Sequence, residues 1–206
     1  MNLPLRTPLR HRKSLLFWAS ASLAAVAGLL PRVRADVTAS VDKGQSATQH
    51  KTVAPAGGAK NSGRTSTTDS VSGNVFYTIT VRNLSAGPAQ GVTVEYHIFN
   101  KTTTSSSRAP SSVSVDDITA SSTLDLDPNG IKTIETTDIP KGSKNTVTSG
   151  NTSKKGVSTP GFTSSTNTSV MGWVVYIKKG DKVIHAITST DTVLDDVEKI
   201  KKSSGA

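Results

Sequence analysis

The sequence predicts an all-β fold, an antiparallel β-sandwich of about seven strands with long polar loops and a short C-terminal helix. Three observations carry that expectation. Val75, Tyr77, Ile79 and Val81 share one phase, and after a small-residue turn Val92, Val94, Tyr96 and Ile98 share another, the period of two of half-buried strands. A third run, Val170 to Lys178, sets Trp173, Val175 and Ile177 on one face and Val174 and Tyr176 on the other, as in a strand covered on both sides. The chain has no cysteine, so burial rather than a disulfide framework must supply stability.

The chain opens on a segment of another kind. Arg6, Arg10, Arg12 and Lys13 precede a mostly apolar run from Leu15 to Leu30, and Val33-Arg34-Ala35 places small residues at −3 and −1 of a cleavage site before Asp36. This predicts a secretory signal peptide over residues 1–35, with Arg32 and Arg34 unusual after the apolar run. The run holds Ser20 and Ser22 and is shorter than the ~20 apolar residues of a spanning helix, so no stable membrane span is expected after cleavage. The leader contains six of the 24 Lys+Arg and none of the 15 Asp+Glu, so the remainder has 18 against 15, a net +3 where the whole chain has +9. Its lysines are scattered rather than gathered on a face with aromatics, which argues against nucleic acid as a partner. The 206 residues less 35 leave 171, enough for one domain with long loops.

In order, Val37, Ala39 and Val41 alternate as a weak first strand, and the stretch to residue 73 carries too little apolar area to offset ordering. Residues 36–73 are therefore expected to be that strand and a mobile polar loop, with the sandwich domain over 74–206. Residues 74–83 and 91–100 are strands rich in β-branched and aromatic side chains. They are expected to form a central hairpin or an inter-sheet pair on which Val170 to Thr188 packs. Between them Gly87 is placed to take positive φ, and Pro88 stops the ladder.

Tyr77-Thr-Ile-Thr-Val-Arg-Asn83, the turn with Pro88-Ala89, and Val92-Thr-Val94 resemble the strand–turn–strand core of bacterial cell-surface Ig-like modules of the CARDB and conserved-repeat kind. The resemblance covers about a quarter of the chain after the leader and implies an Ig-like β-sandwich at the cell surface, with no functional residues to carry over. Gly172-Trp-Val-Val-Tyr and Gly180-Asp-Lys-Val-Ile184 resemble the terminal hairpin of small uncharacterised secreted bacterial proteins.

Farther on, residues 102–108 read as a polar loop. Strands resume near Val113 or Ile118, at Leu124-Asp-Leu126, and over Ile131 to Ile139 after the turn Asp127-Pro-Asn-Gly130. Residues 140–168 read as a polar insertion. Val170 to Lys178 and Lys182 to Thr188 form a hairpin around Gly180-Asp181. Val193, Leu194, Val197 and Ile200 line one face of a helix, Thr192 and Asp195 are spaced as a capping box, and Lys199, Lys201 and Lys202 suit its C-terminal dipole. This helix is expected across an open end of the sandwich.

The sharpest chemical candidate is Asp125, Asp127 and Asn129 before Gly130, the opening of a calcium loop. Thr136 stands where the loop's bidentate Glu belongs, and Lys132 takes a normally apolar position. Asp116 and Asp117 offer further carboxylate oxygens to a cation between loops, or are a solvated pair on a loop. Glu95 and Glu135 are the strand glutamates available as an acid pair for glycoside hydrolysis. His50, His97 and His185 lack zinc-ligand spacing, and no nucleophile elbow exists. Asn83, Asn100, Asn151 and Asn167 begin glycosylation sequons, which mark surface loops in eukaryotic secreted proteins. Tyr77, Tyr96, Trp173 and Tyr176 fit a sugar-stacking platform by type and a core by phase.

These features point to an exported, non-catalytic β-sandwich domain, secreted, periplasmic or on the cell surface. Its role is binding or envelope-structural, toward a protein or glycan of the cell surface, with no cofactor required. The other reading is an accessory carbohydrate-binding module of a hydrolase system, with calcium held at Asp125, Asp127 and Asn129.

Overall fold

The computed structural model describes residues 36–54, 65–152, 156 and 158–204. The leader expected over 1–35, and residues 55–64 of the polar stretch, lie outside the described residues.

Nine strands form one antiparallel sheet among the described residues: β1 (Val37–Gln45), β2 (Gln49–Val53), β3 (Ser66–Asn83), β4 (Ala89–Ser106), β5 (Ala109–Leu126), β6 (Ile131–Glu135), β7 (Ile139–Thr148), β10 (Phe162–Lys179) and β11 (Lys182–Thr188). Between β7 and β10, β8 (Asn151–Thr152) and β9 (Ser158–Thr159) pair with each other, and α1 (Val193–Ser204) ends the chain's regular structure. The fold is thus all-β with one short C-terminal helix. Its main sheet has nine strands rather than about seven, and hydrogen-bond pairing joins all nine in one sheet.

Two long strands change partners along their length. The second half of β3 bonds β1 and β6, while its first half bonds β2 and β7. In β10, Phe162 to Thr168 bonds β7 and Val174 to Lys179 bonds β11, with β4 on its other side almost throughout. The sheet therefore divides at one end into two leaves, β1-β3-β6 and β11-β10-β4-β5. At the other end it continues as a single six-stranded arm in the order β2-β3-β7-β10-β4-β5.

The core lies where the leaves meet. Val75, Tyr77, Ile79 and Val81 of β3 pack with Val92, Val94, Tyr96 and Ile98 of β4 and with Val175 and Ile177 of β10, joined by Val37, Leu126 and Ile139. Tyr77 and Trp173 bring their rings to 6.4 Å. Burying each such side chain stabilises the fold by about 1.5–3 kcal/mol before entropy is counted. β3 and β4 share this core without pairing with each other, so residues 74–99 are an inter-leaf pair and not a hairpin.

Register explains why the core stops. Along β3, the side that carries Val75 continues through Val71 and Asp69, whose row crosses to Asn145 and Ser165. Along β4, the side that carries Ile98 continues through Asn100, Thr102 and Thr104, whose row crosses to Thr166, Lys144 and Ser70. The two inner sides thus emerge on opposite faces of the arm. Among the described residues no second strand layer covers the arm, so both faces meet water, and Ser and Thr predominate on them. Hydroxyl pairs cross the strands at Thr68–Thr146 (3.1 Å) and Thr102–Thr168 (3.2 Å). At the junction Asn100 donates from Nδ2 to the Pro140 carbonyl at 3.1 Å. Thr136 bridges the break between β6 and β7, its N–H donating to the Tyr77 carbonyl and its Oγ1 accepting from the Tyr77 N–H, both at 2.9 Å.

Stretches read from sequence as loops are strands. Within 36–73, β1 runs to Gln45, β2 spans Gln49–Val53 and β3 begins at Ser66; residues 102–106 belong to β4; and 140–168 contains most of β7 and the start of β10. The ladder offsets the ordering cost of these polar stretches through cross-strand backbone bonds worth about 0.5–1.5 kcal/mol each and the extended preference of Thr. Turn chemistry fared differently by site. Gly180 takes φ +57 at the two-residue β10–β11 turn, and Asn129 takes φ 55 at the third position of Asp127–Gly130, closed by a Gly130 N–H to Asp127 carbonyl bond of 2.8 Å. Positive φ falls on Gly91 (φ 63), at a register shift in β4, and not on Gly87.

α1 lies on the outer face of the second leaf, not across an open end. Val193 and Val197 pack with Phe99 and Val174, and Val115, Met171 and Tyr176 pack against this cluster. Leu194 is 37% exposed, so the buried stripe is narrower than its spacing implied. A Cβ on Gly172 would come within 2.4 Å of Val193 Cγ2, which is how closely the helix approaches. The Thr192 hydroxyl donates to Asp196 Oδ2 at 3.1 Å, so the expected pairing with Asp195 does not form the cap.

Candidate functional site

Beside α1, on the same outer face, three neighbouring strands assemble a polar row. β4 contributes Glu95 and His97, β5 contributes Asp117, and β10 contributes Tyr176 and Lys178. All alternate with core residues, so the packing of Tyr96, Ile98 and Ile177 turns them outward. His97 Nε2 lies 3.1 Å from Glu95 Oε1, and its Nδ1 lies 3.2 Å from Asp117 Oδ1. Lys178 Nζ donates to Glu95 Oε2 at 2.5 Å. The Tyr176 ring stands edge-on to the imidazole at 6.0 Å, and the Phe99 ring stacks with it at 6.4 Å.

The electrostatics follow from those contacts. The Lys178 bond first, then the His97 bond, hold the Glu95 carboxyl below its ordinary pKa. Burial, and then the Glu95 charge, push the Tyr176 phenol up, and burial pushes up that of Tyr77. Every member of the row is engaged by another member. Both imidazole nitrogens face carboxylates, so the row ties three strands together and keeps its acid–base groups occupied internally. The partial exposure of such pairs limits each to the order of 1 kcal/mol or less.

The residues singled out from sequence are dispersed. Asp125 accepts the Gly91 N–H through Oδ1 at 2.8 Å, and the Asp127 carbonyl accepts from Asn83 Nδ2 at 2.9 Å and from Gly130. Among the described residues no group of three or more His, Cys, Asp or Glu is placed to hold a metal ion. Asp117 joins the polar row, whereas Asp116 pairs in register with Asn100 on the other side of β5. Glu95 points out from the second leaf. Glu135 follows the core residue Ile134 and points out from the first, so the core separates the two carboxylates. His50 is exposed on β2, and His185 stands opposite Ile177 on β11. Tyr77 and Tyr96 are in the core, with Trp173 packed against it.

Two of the sequons mark buried positions. Asn83 is 0% exposed and Asn100 is 4% exposed, while Asn167 lies on an exposed position of β10. The Asn83 side chain donates to the Gly87 carbonyl at 2.8 Å and to the Asp127 carbonyl, and it accepts from the Ser85 N–H at 3.0 Å. It fastens the crossover between leaves to the 127–130 turn. This hub and the hydroxyl rows of the arm were missed from sequence. Their signals were a polar residue in phase with an apolar strand and the period-two spacing of Ser164, Thr166 and Thr168.

A narrow apolar gap within the core is lined by Val41, Tyr77, Ile79, Tyr96, Ile98, Thr136, Trp173 and Val175 and is too tight for a water molecule. No helix among the described residues is long and apolar enough to cross a membrane. No protein-family model and no curated protein matches the chain. Among solved structures, it is similar to the X-ray structure of a Northeast Structural Genomics Consortium target, at 12% identity over 71% of this chain and 90% of that one, with a TM-score of 0.26.

Proposed function

We propose that the chain is an exported, non-catalytic β-domain with a binding or structural role at the cell envelope, acting on a protein or glycan of the cell surface. The arm carries this reading. Six strands there are held in one layer whose faces are mostly Ser and Thr with Asn, Lys and Asp among them, a surface that encloses no core of its own and is displayed from the packed end. The leader-like residues 1–35 and the likeness of Tyr77 to Val94 to cell-surface Ig-like modules support export and a surface role. The polar row at Glu95, His97 and Asp117 supports a non-catalytic role, because its groups satisfy one another.

The test is fractionation of cells expressing the full sequence with a C-terminal tag, followed by protease treatment of intact cells. Recovery of a shortened chain in the envelope or medium, cleavable from outside, is the expected result. Retention of the uncut chain in the cytosol would overturn it.

A further inference from the structure

The two margins of the arm match each other. One is β2, all five of whose residues are exposed; the other is β5, exposed along most of its length. Neither has a strand partner on its outer side among the described residues, so each presents a row of backbone N–H and C=O groups ready to pair. Five antiparallel steps separate β2 from β5, so the margins run in opposite directions. A second copy laid alongside by translation therefore brings its β2 against β5 antiparallel, and the sheet continues without a change of sense.

Charge selects the same partner. β2 carries His50 and Lys51 and no acid, whereas β5 from Ser111 to Ile118 carries Asp116 and Asp117 and no base. Setting Lys51 opposite Asp116 also sets His50 opposite Asp117, Thr52 opposite Val115 and Val53 opposite Ser114. Faces agree in that register, because Lys51 shares the row of Ser70, Lys144, Thr166, Thr104 and Ser112, and Asp116 lies four residues along β5 from Ser112. Pairing β5 with β5, by contrast, gathers acids on both sides of the contact.

We infer that the arm is a self-assembly element in which β5 of one copy pairs antiparallel with β2 of the next, Lys51 against Asp116. The inference rests on the surface role proposed above and names the partner as a second copy of this chain. Because the contact is heterologous, each added copy leaves one β2 and one β5 margin free, and the assembly grows as an open filament or ribbon.

Light scattering and sedimentation of the chain purified from cells expressing the full sequence test this. The expected mass rises with concentration and falls as salt is added. Lys51→Glu and Asp116→Lys, each alone, raise the concentration needed for assembly by about tenfold. An equimolar mixture of the two assembles again, since the carboxylate introduced on β2 of one variant meets the ammonium introduced on β5 of the other. A monomer at every concentration, a Lys51→Glu chain that assembles like the parent, or a mixture no better than its components would overturn the inference. A monomer found at the cell surface overturns assembly alone, whereas a chain kept in the cytosol overturns the surface role whatever its mass.

Discussion

Ile79→Ala probes the division between a packed end and a coreless arm. Ile79 is 1% exposed, pairs in register with Val41 and Ile134, and faces the core of the opposite leaf. The substitution removes three carbons, about 2.4 kcal/mol at about 0.8 kcal/mol each, and leaves a cavity besides. Ile79 already borders the narrow apolar gap with Tyr96, Trp173 and Val175, and the rigid ladders on both sides restrict collapse, so the loss is expected at about 3–4 kcal/mol. Thr166→Ala is the control: Thr166 sits in the arm, and its loss is expected within about 0.5 kcal/mol. Urea unfolding read by Trp fluorescence measures both, with equal slopes required so that midpoints compare directly. A loss below about 1 kcal/mol for Ile79→Ala, or an equal loss for both variants, would refute the reasoning.

Two further outcomes are expected. A Cβ on Gly142 would lie 2.2 Å from the Val71 carbonyl oxygen, so Gly142→Ala should cost about 1–3 kcal/mol; Gly87→Ala, with nothing within 4 Å, should be neutral, and thermal melts that do not separate them would contradict the β3–β7 register. Glu95 has its folded pKa lowered by Lys178 and then His97, so its contribution is full above the unfolded value of about 4.3 and is lost as pH falls through the folded one. Glu95→Gln should therefore be less stable than the parent at neutral pH, with the gap closing as acid protonates the Glu95 carboxyl, and a gap unchanged from neutral to acid pH would remove the polar row as its cause.

The strands that face the core were legible because hydrophobic alternation records burial directly. Tyr77, Ile79, Tyr96 and Ile98 lie inside as their phase required, and Val174 and Val175 are buried on opposite sides of β10, as the double alternation of that run implied. The arm was not legible by the same signal. In Ser66 to Ser72, Thr102 to Ser106 and Ser164 to Thr168 both faces meet solvent, so no apolar phase exists to mark a strand, and composition alone looks like loop.

The candidate site divides the same way. Sequence placed Glu95 and His97 on the outer side of β4, because the core phase left them nowhere else to point. It could not bring Asp117 and Lys178 to them, since that depends on which strands lie on either side of β4 and in what register. It likewise proposed Asp125, Asp127 and Asn129 as converging ligands, when a neighbouring strand had already engaged Asp125 through Gly91.

By itself, then, the sequence determined the all-β class, the inward phase of each apolar strand, the β10–β11 turn and a C-terminal helix, all properties of residues close together in the chain. Only the tertiary structure decided that one nine-stranded sheet forms, that it splits into two leaves, and that their inner sides emerge on opposite faces of the arm. The reason is that partner and register are chosen between segments far apart in sequence. There the decision belongs to backbone hydrogen bonds, which every residue but proline offers alike.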